Sequence, residues 1–250
     1  GAAKGQEARA GAQDRSKESS RAQGQVGAAR AFAGAVRLVI FDLDGTITWH
    51  DSFVPYVAGF LLKHRRYLAR LWRVPGPLLR YPFDRRDRGR LKESLMIGLL
   101  RDVERAELAS WTSTFVERLL ARGCRPQAME QIRLHRTQGD RLVLLSASPD
   151  LYVPEIGRRL GFDESISTGV RWLPDRLSGE LTTENRRGEE KVRVLEQLRA
   201  RHPGIEVVAY GNSDSDFPHL QLADEGWLIS SRRDLARRAR ELQLKTAAWT

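Results

Sequence analysis

The sequence predicts an α/β fold, with a parallel sheet covered by helices and an all-helical unit inserted after the first strand. Three observations carry this expectation. From residue 35 onward, apolar runs of strand length alternate with helix-length amphipathic stretches, the pattern of strands joined by crossover helices. The runs are continuous and rich in Val, Ile and Leu, as in strands buried on both faces. Roughly ninety residues of helical pattern separate the first two runs, far more than a simple crossover needs.

Taken in order, strands are expected at 36–41 (VRLVIF), 141–146 (RLVLLS), 205–210 (IEVVAY) and 226–230 (GWLIS). The insert reads as helices over 53–74, 90–100, 104–122 and 127–138, punctuated by the breakers VPGP, RGR, RGCRP and QGD. The remainder predicts helices over 151–160, 189–201, 218–223 and 232–244, and GVRWLPDRLSGEL (169–181) reads as a hairpin about a Pro-Asp turn. The expected organisation is therefore a core formed by 36–50 with 139–250, and a helical domain at 51–138. Residues 1–35, rich in Ala, Gly, Gln, Ser and Arg, are expected to be a disordered low-complexity leader. A first residue other than Met reads as a fragment, and Glu7, Asp14 and Glu18 argue against a transit peptide.

With 250 residues, 41% hydrophobic and 30% charged, the chain has the composition of a packed enzyme-sized fold. A lone Cys124 forms no internal disulfide, and no Cys/His spacing suits zinc, so a reducing, cytoplasmic setting is expected. No apolar run reaches the length of a membrane span or of a secretory signal. The formal charge of +10 is concentrated: residues 61–92 hold eleven Lys and Arg against Asp84 and Asp87, a local +9. Over 53–74, Val57, Phe60, Leu61, His64, Leu68, Leu71 and Trp72 form one stripe of a predicted helix, and Lys63, Arg66, Arg70 and Arg73 another. This reads either as a solvated basic face on a packed helix or as an interfacial helix on anionic lipid, peripheral at the inner face of a membrane. Arg66 and Arg70 are candidates for selecting an anionic substrate. Nucleic-acid binding through the same charge is a third reading, although no nucleic-acid module accompanies it.

Ligands of an open parallel sheet bind beyond the carboxyl ends of its strands. Asp42 and Asp44 leave the first strand there, Ser146 leaves the second, and GNSDSD (211–216) leaves the third. A carboxylate cluster on such a rim suits Mg²⁺ held jointly by acids and a substrate phosphate. Asp42 is the candidate nucleophile, accepting a phosphoryl group as an aspartyl-phosphate. Asp44, two residues on and on the same side of an extended chain, is the candidate general acid and base. Gly45 permits the tight turn. The Ser146 hydroxyl and the backbone N–H groups around Ala147 are expected to hold phosphate oxygens, with Lys191 completing the clamp.

FDLDGT, LLSAS, GEEK and YGNSDSDFPHL, in that order with a helical insert after the first, resemble the four motifs of the haloacid dehalogenase (HAD) superfamily, and most nearly its phosphoserine-phosphatase-like subfamily IB. The resemblance spans residues 37 to about 231. It implies a Rossmann-like core, a helical C1 cap, Mg²⁺ and phosphomonoester hydrolysis. It further implies that Asp42 is both nucleophile and metal ligand, that Asp44 adds its backbone carbonyl to the metal, that Ser146 and Lys191 bind phosphate, and that Asn212 and Asp216 complete the metal site. Phosphatases and mutases of the superfamily keep the second acid, whereas its transporting ATPases and dehalogenases lack it. One departure stands out: Asn212 occupies a position where the family most often has Asp, offering a carbonyl oxygen without charge. The hydrophobic and basic insert is similar to that of phosphatidylglycerophosphatase C, which points to an anionic small-molecule or lipid phosphate as substrate. A phosphoserine-phosphatase-like enzyme is the alternative, since Asp51 stands nine residues after the candidate nucleophile, where that enzyme binds its substrate's amine. Asp51 also reads simply as a helix cap beside Ser52. A non-catalytic membrane- or nucleic-acid-binding module, motivated by Asn212, is the remaining alternative.

Overall fold

The computed structural model describes residues 37–73 and 88–249. The expected leader at 1–35 and residues 74–87 of the basic segment lie outside the described residues. Strand β1 (Arg37–Phe41) opens the fold, and helices α1 (Phe53–Lys63), α2 (Arg88–Leu100), α3 (Arg105–Arg122) and α4 (Pro126–Thr137) follow before β2 (Arg141–Pro149). Then come α5 (Val153–Leu160), β3 (Glu164–Thr168), the antiparallel hairpin β4 (Val170–Leu173) and β5 (Arg176–Leu181), and α6 (Glu189–Arg201). The chain closes with β6 (Glu206–Gly211), α7 (Phe217–Leu222), β7 (Glu225–Ile229), α8 (Arg233–Glu241) and β8 (Lys245–Ala247).

Six parallel strands form the sheet in the order β3-β2-β1-β6-β7-β8. Its second and third central strands show why the apolar runs are continuous. Leu38 and Ile40 join Val143, Leu145, Val207 and Ala209 in one buried cluster with Leu195, Leu198 and Leu220. Val39 and Phe41, pointing the other way, join Leu142, Leu144 and Val208 in a second cluster with Phe60, Trp111 and Ile132 of the helical insert. The predicted strands are thus recovered, and β3 and β8 are additions. Both lie at sheet edges, where ESIST and KTA are too short and polar to show a buried pattern.

The continuous helix expected over 53–74 is not formed. Helix α1 ends at Lys63, His64 takes φ −111° and ψ 70°, and Arg65–Arg73 continues as a tighter 3₁₀ segment. The physical reason lies on α3, where Glu107 collects His64 Nδ1 at 2.7 Å, Arg66 at 2.6 Å and the Tyr67 hydroxyl at 2.9 Å. Three partners converge on this one carboxylate from the residues just after the break, and the backbone bonds from His64 N–H to the Phe60 carbonyl and from Tyr67 N–H to the His64 carbonyl carry the chain through it. The predicted apolar stripe breaks with the helix, so Leu71 and Trp72 lie at 46% and 75% exposure. Among the described residues, no helix is long and apolar enough to cross a membrane.

Candidate active site

Strand β1 sits between β2 and β6, so the loops leaving these three strands meet at one rim. There they form a cavity of about 390 Å³. Asp42, Asp44, Ala147, Lys191, Asn212 and Asp216 all line it.

Asp42 follows β1, and its N–H donates to the Tyr210 carbonyl of β6 at 3.0 Å, which extends the sheet ladder to the residue itself. Its carboxylate is buried; Oδ2 accepts the Thr46 hydroxyl at 3.0 Å and Oδ1 lies 2.7 Å from Lys191 Nζ. The same ammonium lies 2.7 Å from Asp216 Oδ1. Asp216 Oδ2 accepts the N–H groups of Asn212 and Ser213 and the Ser213 hydroxyl at 3.2, 3.0 and 2.7 Å. Burial pushes Asp42 up to about 6; Lys191 opposes that shift, while Asp216 adds to it. For Asp216 burial is the largest influence and acts upward too, but Lys191, His219 and the Ser213 hydrogen bond together hold the carboxyl well below the usual range. Burial lowers Lys191 in turn, and the two carboxylates overcome that and leave it raised.

Asp44 faces the cavity with each oxygen engaged, Oδ1 accepting the Ser52 N–H at 2.7 Å and Oδ2 the Ser148 hydroxyl at 2.6 Å. Burial, reinforced by the charge of Asp51, nonetheless raises it above an ordinary carboxylate, with the Ser148 and Ser52 hydrogen bonds acting against the shift. Gly45 takes φ 84°, and a Cβ there would come within 2.0 Å of Asn212 Nδ2. The turn therefore requires glycine for its backbone conformation, and a side chain there would also displace the amide of Asn212.

Of the other predicted positions, Ser146 is fully buried behind the rim, its Oγ accepting the Ser148 N–H at 3.0 Å, and it is Ser148 that reaches the cavity wall beside Ala147. Asp51 lines the cavity and also accepts the N–H groups of Phe53 and Val54 at 3.0 and 3.4 Å, the capping contact. Arg66 and Arg70 are not on the cavity wall: Arg66 is drawn to Glu107, and Arg70 donates to the carbonyls of Leu99 and Arg101 at 3.1 and 2.6 Å. Ser148, Lys92 and Arg187, outside the positions expected from the sequence, also line the cavity. Ser148 carried a signal, standing at i+2 from Ser146 in SAS. Lys92 and Arg187 carried none, because they arrive from α2 and from the loop before α6.

The donors at the rim suit a hard cation. Asp42 and Asp216 each keep carboxylate lone pairs beyond the hydrogen bonds above, and the amide of Asn212 lines the same cavity. Among the described residues no group of three or more His, Cys, Asp or Glu side chains is arranged to hold a metal. With two carboxylates and one amide, the set fits Mg²⁺ with fewer charges than an all-acid site.

A family model described as haloacid dehalogenase-like hydrolase matches residues 39–221. The chain belongs to this family. Protein CicA of Caulobacter vibrioides is 35% identical to this HAD-like hydrolase over 193 residues, covering 75% of this chain and 83% of that protein. A solved structure of a protein of unknown function from Bordetella pertussis Tohama I superposes with a TM-score of 0.73 at 25% identity, covering 86% of this chain and all of that one. A phosphoserine phosphatase solved as a phospho-aspartyl intermediate analogue shares the fold at a TM-score of 0.58 and 17% identity, covering 86% of this chain and 94% of that chain. The HAD architecture, a Rossmann-like parallel sheet with a helical insert after β1, is thus established for this hydrolase.

Proposed function

We propose that the protein is a Mg²⁺-dependent phosphomonoesterase working through an aspartyl-phosphate on Asp42, with residues 51–138 as the cap over a core of 36–50 and 139–250. One observation carries the reading: two acids of unlike environment share one cavity, buried Asp42 paired with Lys191 and half-buried Asp44 hydrogen-bonded to Ser148 and Ser52. Environments that push two carboxyls into different roles are the mark of an acid and nucleophile pair. A phosphoserine phosphatase captured as a phospho-aspartyl analogue shares the fold, which supports the same chemistry.

In this reading a carboxylate oxygen of Asp42 attacks phosphorus as the ester P–O bond breaks, and Asp44, as the general acid, gives its proton to the departing alkoxide. Asp44 then takes a proton from water, whose oxygen attacks the phosphoryl group and frees Asp42. Lys191 keeps Asp42 aimed, and Ala147, on the cavity wall, offers its N–H to the phosphoryl oxygens; Ser148 holds Asp44 through its hydroxyl while Ser146 accepts the Ser148 N–H behind the rim, and Gly45 makes the tight turn beside Asp44. Mg²⁺, held by Asp42, Asp216, Asn212 and the backbone carbonyl of Asp44, would supply positive charge against the phosphoryl oxygens. The substrate is an anionic small-molecule or lipid phosphate.

The test is hydrolysis of phenyl phosphate by purified protein with and without Mg²⁺. Turnover that requires the metal and falls at least about a thousandfold in Asp42→Asn is expected. Absence of turnover across a wide Mg²⁺ range would overturn the reading.

A further inference from the structure

Beside the acids and Lys191, the cavity has a second, unlike lining. Phe53, Val54 and Pro55 from the start of α1 and Leu91 and Leu95 from α2 are apolar, and two cations, Lys92 and Arg187, line the same cavity. Lys92 is contiguous with Leu91 and one turn from Leu95, so it shares the apolar, leaving-group wall. Its ammonium donates to the Ala147 carbonyl and lies 5.7 Å from the Phe53 ring centroid.

Arg187 is held in place from below. The hydroxyl of buried Thr168 donates to the Ala147 carbonyl at 2.9 Å and accepts the Arg186 N–H at 3.2 Å, tying the loop before α6 to the end of β2. The N–H of Arg187 itself donates to the Asn185 carbonyl at 2.6 Å, and Gly188 turns the chain into α6 with φ 58°. The preceding Arg186 is matched to Glu190 at 3.2 Å. Half-buried Arg187 makes no ion pair among the described residues, although it lines the cavity. A partly desolvated guanidinium without a counter-ion is unfavourable until an anion meets it.

We propose that Arg187, with Lys92 on the same cavity, binds a second anionic group on the substrate's leaving portion. The preferred substrates are then phosphomonoesters whose alcohol carries an apolar part and a carboxylate or a further phosphoryl group. This deepens the phosphatase reading above and rests on it.

The test uses three probes on the full chain: phenyl phosphate, 4-carboxyphenyl phosphate and 4-phosphonophenyl phosphate. In the wild type both anionic probes have the higher kcat/KM, and their ratio separates carboxylate from phosphoryl preference. In Arg187→Ala the advantage over phenyl phosphate falls about tenfold, the worth of a charge-assisted hydrogen bond, mostly through KM, and Arg187→Lys restores part of it. Calorimetric binding to Asp42→Asn, which does not turn over, gives a second readout: adding Arg187→Ala weakens the anionic probes relative to phenyl phosphate. Wild type that binds 4-carboxyphenyl phosphate through Arg187 but hydrolyses nothing would sink the phosphatase reading alone. An unchanged preference in Arg187→Ala, an equal fall for all three probes as for an arginine clamping the transferred phosphate, or binding of none of them would overturn this proposal.

Discussion

His219 illustrates what a single buried group contributes. It sits on α7, fully buried, with neither ring nitrogen hydrogen-bonded among the described residues. Burial, with Lys191 adding, lowers it to about 3, while Asp216 acts the other way. The unfolded chain takes up a proton near pH 6.5 that the folded chain refuses, so the unfolded state binds more protons between about 6.5 and 3. Stability from this group is therefore complete above pH 6.5 and is lost as pH falls through that window. His219→Leu removes an unpaired buried imidazole at similar volume, and a gain of about 1–3 kcal/mol is expected. The gain should grow as pH falls from 7 to 5 in urea melts; equal stability of the two proteins at every pH would refute the account. Asp42 and Asp44 could be read from their spacing, because two acids behind an apolar run mark a strand end. The unpaired state of His219 could not, since it depends on which neighbours the fold supplies.

The hairpin β4–β5 has its consequence in the helix it touches. Gly179 takes φ 87°, and a Cβ added to it would meet the backbone of Met96 and Ile97 at 2.9–3.0 Å. Neither backbone can yield cheaply, so the hairpin and α2 are in direct main-chain apposition, and α2 carries Leu91, Lys92 and Leu95 to the cavity. Leu181 N–H reinforces the seam by donating to Glu93 at 2.8 Å. Gly179→Ala should destabilise the fold by about 2 kcal/mol or more, from positive φ and the clash together. It should also raise KM for phenyl phosphate more than it lowers kcat; thermal denaturation and steady-state kinetics on the same preparation would check both. The hairpin was evident from its Pro-Asp turn, and the helix of the insert from its periodicity. Their contact was not, because a glycine chosen for close approach looks like any turn glycine in the chain. The break at His64 escaped for a related reason: local pattern favoured a longer helix, and Glu107, some forty residues away, decided otherwise.

Across the molecule, the insert and the sheet share one apolar core. Val39, Phe41 and Leu144 of the sheet belong to the same buried cluster as Tyr56, Trp111 and Phe115 of the insert. Tyr152, just before α5, lies 4.6 Å from the Tyr56 ring and 5.5 Å from the Phe115 ring, and its hydroxyl accepts the Ser52 hydroxyl at 3.0 Å. Thr112 of α3 adds a bond to the Leu151 carbonyl at 3.2 Å. A cap joined to its core by this much buried surface should not melt independently. Urea unfolding followed by tryptophan fluorescence, with Trp111 in the seam, and by far-UV circular dichroism should give coincident midpoints. Separated transitions would show the insert unfolding on its own. Exposed Trp72 and Leu71 lie in the 3₁₀ segment with its arginines, of which Arg66 engages Glu107 and Arg70 the carbonyls of Leu99 and Arg101, whereas Lys92 of the same basic stretch lines the cavity.

Read alone, the chain established the α/β architecture, the helical insert after the first strand, the acids at the strand ends and the HAD resemblance that the family match then supported. These features are written within a few residues of one another, as continuous apolar runs, turn residues and short motifs, and local physics suffices to read them. The folded protein decided which distant groups meet: Lys191 between Asp42 and Asp216, Ser148 on Asp44, Lys92 and Arg187 on one cavity, and Arg66 on Glu107 instead of the site. Those pairings depend on long-range packing and on the burial it creates, and burial also raises both acids above an ordinary carboxylate. Spacing along a chain fixes neither.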